Sequence, residues 1–302
     1  MYQTPKRKFT YVSLSILLFA LLTVISVYIV YSQSIRLIFY FHSISSIYQL
    51  LFLSMLFSMF VSFLIIQFVF RRKWSLQFHW KPNTSISLRE VFICFLFGFG
   101  LNLFFSFLLS FSFDTFSFNS LYPSVYHLNM YSPSTLLFIF TIVIASPLFE
   151  EFLFRGIVLM TLKPYGNWIA IIISSLLFTM MHGTLTQTIS LFFLAIAIGY
   201  LVVKTNSLFF GILLHMVNNA LAILPFFFHS EFIQTVYSLL LILIMITGCI
   251  LLVIFFLHRK KIYSSLTSPY DYSIKQFFNN WASITLIILL SVAIVYSSFQ
   301  SL

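Results

Sequence analysis

Nine long runs of apolar residues divide this chain of 302 residues, and they constrain its fold more than any other feature. A helix needs about 20 apolar residues to cross the hydrocarbon core of a bilayer. Lipid offers no partner for backbone N–H and C=O groups, so crossing segments must be helices or closed barrels. The sequence therefore predicts an all-α, polytopic transmembrane helix bundle of about 8–9 spans, the fifth and sixth of which are short. The predicted spans are residues 9–32, 47–70, 90–113, 135–161, 168–183, 187–203, 207–228, 233–257 and 281–299.

The composition excludes a water-soluble globule. Hydrophobic residues make up 61% of the chain and charged residues only 7%, whereas soluble domains carry about 25% charged residues. The net charge of +10 comes from short basic clusters between the apolar runs. Nucleic-acid binding needs one continuous basic face, so we expect no nucleic-acid partner and take the lipid bilayer as the surroundings of the chain.

The basic clusters predict the orientation of the chain in the membrane. With the N-terminus in the cytoplasm, fourteen of the sixteen Lys and Arg residues fall in cytoplasmic segments, Arg36 falls outside, and Arg155 lies within a span. This distribution follows the positive-inside rule. We therefore expect a multi-pass protein of the cell membrane with a cytoplasmic N-terminus and an external C-terminus. We also expect residues 1–302 to form a single integral membrane domain, because no loop is long enough to fold separately.

The fourth predicted span carries three charged residues, Glu150, Glu151 and Arg155. A charge at the bilayer centre costs at least about 2.5 to 3.5 kcal/mol, so such residues mainly pair or face a polar cavity. Glu151 and Arg155 are four residues apart, which predicts an ion pair on one helical face. Glu150 points about 100° away, toward a neighbouring helix or a water pocket. Pro147 removes a backbone hydrogen bond just before this group and is expected to widen the helix.

Two later spans carry His182, His215 and Asn219. Counted from the cytoplasmic helix ends at 1.5 Å per residue, Glu150, His182 and Asn219 lie at depths of about 18–21 Å and His215 at about 12 Å. A carboxylate, two imidazoles and a carboxamide at similar depth can activate a water molecule and stabilise an oxyanion. Glu150, His182 and His215 are equally a three-ligand set for Zn²⁺ with one open position. The residues by themselves leave both kinds of site open, and a packing network of ion pairs is the alternative without chemistry.

In these residues the sequence resembles the CPBP family of intramembrane proteases, which includes the CAAX prenyl-protein endoproteases and bacterial bacteriocin-processing and immunity proteins. The pattern of that family is E-E-x-x-x-R, then F-x-x-x-H, then H-x-x-x-N. The chain has all three in this order, on separate spans, as Glu150-Glu151 with Arg155, Phe178 with His182, and His215 with Asn219. The resemblance covers a protease-like core of about residues 135–225.

The resemblance implies an intramembrane endopeptidase that hydrolyses a peptide bond of a membrane-associated peptide or protein substrate. It implies that Glu150 activates the attacking water with help from His182. It further implies that His215 and Asn219 stabilise the tetrahedral oxyanion. A small, Phe-rich member with no extra domain is more similar to the bacterial branch, for which peptide maturation or self-immunity is expected, than to the enzymes of prenylated substrates.

By the same resemblance, Glu151 and Arg155 orient and hold the first motif. The family leaves the cofactor undecided, because its members are often called metalloproteases although a metal-free mechanism dependent on glutamate uses the same residues. We favour the metal-free mechanism over a zinc site. The competing hypotheses are a non-enzymatic membrane immunity protein and a small transporter that use the same polar cluster. A transporter would more often have broken helices in two related halves, and the sequence has no such halves.

Overall fold

The structure is a computed structural model that describes residues 5–38, 44–70, 82, 86–113, 132–228, 230–266 and 274–300. Every regular element in these residues is helical, and a helix lies at each of the nine predicted spans. The prediction of an all-α helix bundle is therefore confirmed. The helices are α1 (Pro5–Ile38), α2 (Ile44–Phe70), α3 (Leu88–Phe113), α4 (Pro133–Tyr165), α5 (Asn167–Met180), α6 (Leu185–Thr205), α7 (Phe209–Ile223), α8 (Glu231–Ser264), α9 (Ile274–Phe278) and α10 (Trp281–Gln300).

Several helices have the length and composition that a membrane crossing requires. Within the described part of the chain, five helical stretches are both long and apolar enough to cross: Leu88–Leu109, Pro133–Tyr165, Leu185–Thr205, Phe209–Phe227 and Glu231–Ser264. In the most apolar 18-residue stretch of α8, only 6% of the residues are buried inside the protein. Its large apolar side chains therefore face outward, as expected for a helix surrounded by lipid.

The fifth predicted span is longer than the helix that forms there. Residues 168–183 were predicted to be helical, but α5 ends at Met180. Gly183 has a φ of +77°, a left-handed conformation that favours glycine and that often follows the end of a helix. Thr184 then caps α6, because its hydroxyl accepts a hydrogen bond from the Gln187 backbone N–H at 3.2 Å. His182 consequently lies in the turn between α5 and α6.

Helix α4 lies at the centre of the bundle and contacts α1, α2, α5, α6 and α7. Its second half packs with α5 and α6 to form the hydrophobic core. Helix α3 packs between α6 and α8, and α1 packs against α2 and α10. Polar side chains on α4 therefore face other helices on several sides. Two of these helices carry residues of the other two motifs: Phe178 lies on α5, and His215 and Asn219 lie on α7.

Candidate active site

Helix α4 departs from regular α-helical geometry on both sides of the two glutamates. It is π-helical over Phe140–Ala145 and again over Phe152–Leu159. Glu150 and Glu151 lie in the α-helical turn Ser146–Glu151 between these stretches. A π-helical turn is wider than an α-helical turn and is frequent at functional sites. The first widened stretch ends just before Pro147, which itself lies in the α-helical turn, and a second widened stretch holds Arg155.

The first π-helical stretch leaves one backbone carbonyl free. The backbone N–H of Ser146 donates to the carbonyl of Thr141, five residues earlier. In this register the carbonyl of Ile142 would accept a hydrogen bond from the backbone of residue 147. That residue is Pro147, which has no N–H to donate. Asn219 of α7 takes that place, because its Nδ2 donates to the Ile142 carbonyl at 2.9 Å. Asn219 is thereby attached to the widened part of α4.

Glu151 and Arg155 form the ion pair that their spacing predicted. Arg155 Nη1 lies 3.2 Å from Glu151 Oε1, and both side chains are fully buried. Arg155 Nη2 also donates to the carbonyl of Ala195 on α6 at 3.1 Å. The pair therefore links α4 to α6. Its two charges offset one another in surroundings where a single charge would be costly.

The imidazole of His215 lies between the two carboxylates of α4. Its Nδ1 is 2.9 Å from Glu151 Oε1, and its Nε2 is 3.7 Å from Glu150 Oε2. Glu150 Oε1 accepts a hydrogen bond from the Ser146 hydroxyl, whereas Glu150 Oε2 is buried and has no hydrogen-bond partner among the described residues. Glu150 thus faces a neighbouring helix, as expected. The same ring also reaches Glu151, since its two nitrogens point in different directions.

Phe178 lies at the centre of the three motifs. Its ring centroid is 4.8 Å from that of His182 and 5.4 Å from that of His215. Arg155 Cζ lies 4.4 Å from the same centroid on the ring face, which is a cation–π geometry. The ring is 2% exposed. In the sequence, Phe178 was noted only as the first residue of the motif F-x-x-x-H. No pattern within its own helix indicated that it contacts residues of the other two motifs.

His182 is positioned by its own turn. Its Nδ1 lies 3.0 Å from the carbonyl oxygen of Phe178. The structure has no hydrogen bond or ion pair between His182 and Glu150, both of which it describes. A joint action of these two residues on a water molecule therefore requires the water to lie between them.

The candidate metal ligands do not form a ligand set. Among the residues that the structure describes, no group of three or more His, Cys, Asp or Glu side chains is placed to hold a metal ion. Glu150 and His215 are close to one another, but His182 does not complete a three-ligand group with them. A zinc site of the predicted composition does not fit this arrangement, and no step below passes through a metal.

Two further asparagines extend the site beyond the predicted residues. Asn218 Nδ2 donates to Asn219 Oδ1 at 3.1 Å, and Asn102 Nδ2 of α3 donates to Asn218 Oδ1 at 3.3 Å. Asn218 is the neighbour of Asn219 in the chain, and Asn102 is the single Asn in the third predicted span. Polar residues inside a span are functional candidates in general, so both were detectable. Their contact across helices was not.

A comparison with protein families supports the motifs. Residues 132–221 match the sequence model of the family described as type II CAAX prenyl endopeptidase, Rce1-like. No curated protein and no solved structure gives a significant match to the chain. The matched residues run from the start of α4 to α7 and contain all three motifs. The match confirms the resemblance that the motifs gave, over residues 132–221 of the chain.

Proposed function

We propose that this protein is an intramembrane endopeptidase that hydrolyses a peptide bond of a membrane-associated peptide or protein. The observation that supports it best is the position of His215 between two carboxylates, with Glu150 Oε2 left without a hydrogen-bond donor. A buried acceptor without a partner is costly unless water or a ligand satisfies it. The family match supports a hydrolase of the CAAX-protease type.

Glu150 is the proposed general base. The Ser146 hydroxyl holds Oε1, so Oε2 is the oxygen that remains to accept a proton from a water molecule. The Glu150 side chain is 20% exposed, although its Oε2 is buried, whereas Glu151 is fully buried. Glu150 is therefore the less buried of the two carboxylates, and the proposed water must enter beside Oε2. His182 contributes to the orientation of the same water from the turn after α5.

The proposed reaction needs only water as co-reactant. The water oxygen bonds to the carbonyl carbon of the substrate as Glu150 takes one water proton. The resulting tetrahedral oxyanion collapses, the C–N bond breaks, and the proton on Glu150 passes to the leaving nitrogen. The products are a new carboxyl terminus and a new amino terminus, and Glu150 returns to its ionised form.

His215 and Asn219 are the proposed oxyanion donors. Glu151 holds the Nδ1 proton of His215, so His215 acts as an oxyanion donor from Nε2 when both ring nitrogens carry protons. Asn219 Nδ2 carries two protons and donates one of them to the Ile142 carbonyl. The second proton is available to the oxyanion.

The proposed substrate is a peptide whose cleavage site enters the bilayer. His215 is only 4% exposed, and the site lies among apolar helices, so the scissile bond must reach it from within the membrane. Peptide maturation and self-immunity are the physiological roles that we propose for such an activity.

The test is cleavage of a membrane-associated peptide by purified protein in lipid nanodiscs. Glu150→Gln keeps the size and hydrogen bonding of the side chain but removes the base, so turnover should fall by about 10²- to 10⁴-fold. Glu231→Gln is the matched control, because it removes an exposed carboxylate at the start of α8. It should cleave at the rate of the wild type.

Two outcomes would change the proposal. If the wild type binds the peptide without cutting it, and cells that carry the Glu150→Gln variant keep full immunity, the protein is a non-enzymatic immunity factor. A chelator in the same assay separates the mechanisms of hydrolysis. Cleavage that persists supports the water activated by Glu150, whereas loss that added Zn²⁺ restores would assign Glu150 and His215 as metal ligands.

A further inference from the structure

We propose that Asn102 and Asn218 are positioning residues that fix the orientation of the Asn219 amide. This inference rests on the proposed function, in which Asn219 donates a hydrogen bond to the oxyanion. Asn102 belongs to α3 and lies outside the segment that matches the protease family. A helix beyond the family core would then help to set the geometry of the reaction.

The three amides form one directed chain of hydrogen bonds. Asn102 donates to Asn218, Asn218 donates to Asn219, and Asn219 donates to the Ile142 carbonyl, over distances of 3.3, 3.1 and 2.9 Å. Each link joins the nitrogen of one residue to the oxygen of the next. The chain connects α3 to α4 through α7.

The direction of this chain follows from its last member. The Ile142 carbonyl can only accept, so Asn219 must present its nitrogen there, and its Oδ1 must then face Asn218. The same reasoning makes Asn218 present its nitrogen to Asn219 and its oxygen to Asn102. The free carbonyl exists because Pro147 has no N–H in the π-helical register. The sequence of α4 therefore determines the polarity of the whole chain.

Asn102 prevents a specific error in this arrangement. Without a donor at Asn102, the oxygen of the buried Asn218 amide has no partner, and the amide would turn toward another donor to satisfy it. Turning breaks the hydrogen bond to Asn219 Oδ1, which leaves the Asn219 amide held only at the Ile142 carbonyl. Asn219 would then lose the orientation in which its second N–H faces the oxyanion. Because oxyanion donors act through preorganised geometry, the loss should appear in kcat.

The first measurement compares Asn102→Leu with the wild type in the peptide-cleavage assay. Leu has a similar size and no donor, so kcat should fall by about 10- to 100-fold with KM unchanged, less than the loss on removal of Asn219 itself. Asn102→Gln keeps an amide donor and should recover part of kcat. Ser106→Ala, one helical turn further along α3, should leave kcat unchanged. If Asn102→Leu protein does not accumulate in membranes, Asn102→Ala serves in its place.

The second measurement repeats the change in the Asn219→Ala background. If Asn102 acts through Asn219, Asn102→Leu should cause no further loss of kcat there. A loss of equal size in both backgrounds would show that Asn102 is structural, and an unchanged kcat in the wild-type background would also overturn the inference. Failure of the proposed function looks different. In that case the wild type does not cleave, or Asn219→Ala cleaves at the wild-type rate.

Discussion

The guanidinium group of Arg155 lies on the face of the Phe178 ring, with Cζ 4.4 Å from the ring centroid. The plane of the same ring lies at 70° to the imidazole of His182 and at 86° to that of His215. The Phe178 side chain thus contacts residues of all three motifs of the site. A Phe at this position of the second motif is explained by these contacts, because an aliphatic side chain offers no π-face to a guanidinium group.

Phe178→Leu should therefore impair the site more than an ordinary change in the core. It removes a cation–π contact worth up to about 2 kcal/mol in buried surroundings, and it frees both imidazoles to move. We expect a lower melting temperature and a turnover reduced by at least about tenfold, the ratio that corresponds to 1.4 kcal/mol. Phe154→Leu is the control, since Phe154 is equally buried and packs edge-on against Phe178. Equal turnover in the two variants would contradict a special role of Phe178.

Arg155→Ala should lower the amount of protein in the membrane more than Glu150→Ala does. Loss of one partner from a buried ion pair costs about 3 to 5 kcal/mol, because the other charge remains buried. Arg155→Ala leaves Glu151 without its cation in a fully buried position. Glu150 is partly exposed, and after its removal His215 still has Glu151 as a partner. Quantitative immunoblots of membrane fractions would check the order, and equal levels of the two variants would argue against the stabilising role of the pair.

The sequence predicts best what lies within one helix. The spacing of four residues between Glu151 and Arg155 is enough to predict their contact, since the helix itself brings such residues together. A widened turn close to Pro147 was likewise predictable from the missing N–H, although it lies just before the proline and not at it. Long apolar runs located the helices for the same reason, because each run reflects the thickness of the bilayer and not the neighbours of the helix.

Contacts between helices were beyond the reach of the sequence. That His215 meets both glutamates depends on how α7 is rotated against α4, and no spacing within either helix states this rotation. The contact of Asn102 with Asn218 joins residues 116 positions apart. The end of α5 before His182 depends on the left-handed conformation of Gly183. The sequence shows that a glycine is present there, but it does not show the backbone conformation of that glycine.

The packing of α3 against α8 should depend on two glycines. A Cβ atom on Gly100 would lie 2.5 Å from the carbonyl oxygen of Ile244, and one on Gly248 would lie 2.7 Å from Gly100 Cα. Both obstacles are backbone atoms, which a side-chain rotation cannot relieve. Gly100→Ala and Gly248→Ala should each lower the melting temperature. Gly199→Ala is the milder control, because its Cβ would meet only side-chain atoms of Ile171 and Leu159 at 3.2 Å or more, and a similar loss in all three would contradict the close approach.

The orientation of the chain in the membrane stays a prediction from its basic residues. Lys261 lies near the end of α8 in a basic cluster, and the positive-inside rule places that cluster in the cytoplasm. Asn119 lies outside the described residues, and the nine-span topology predicted from the sequence places it outside the cell. Cysteines introduced as Asn119→Cys and Lys261→Cys, after Cys94→Ala and Cys249→Ala, should react with a membrane-impermeant maleimide differently. Asn119→Cys should label in intact cells, and Lys261→Cys only after the membrane is opened. The reverse pattern, or labelling of both positions in intact cells, would contradict the nine-span model with a cytoplasmic N-terminus.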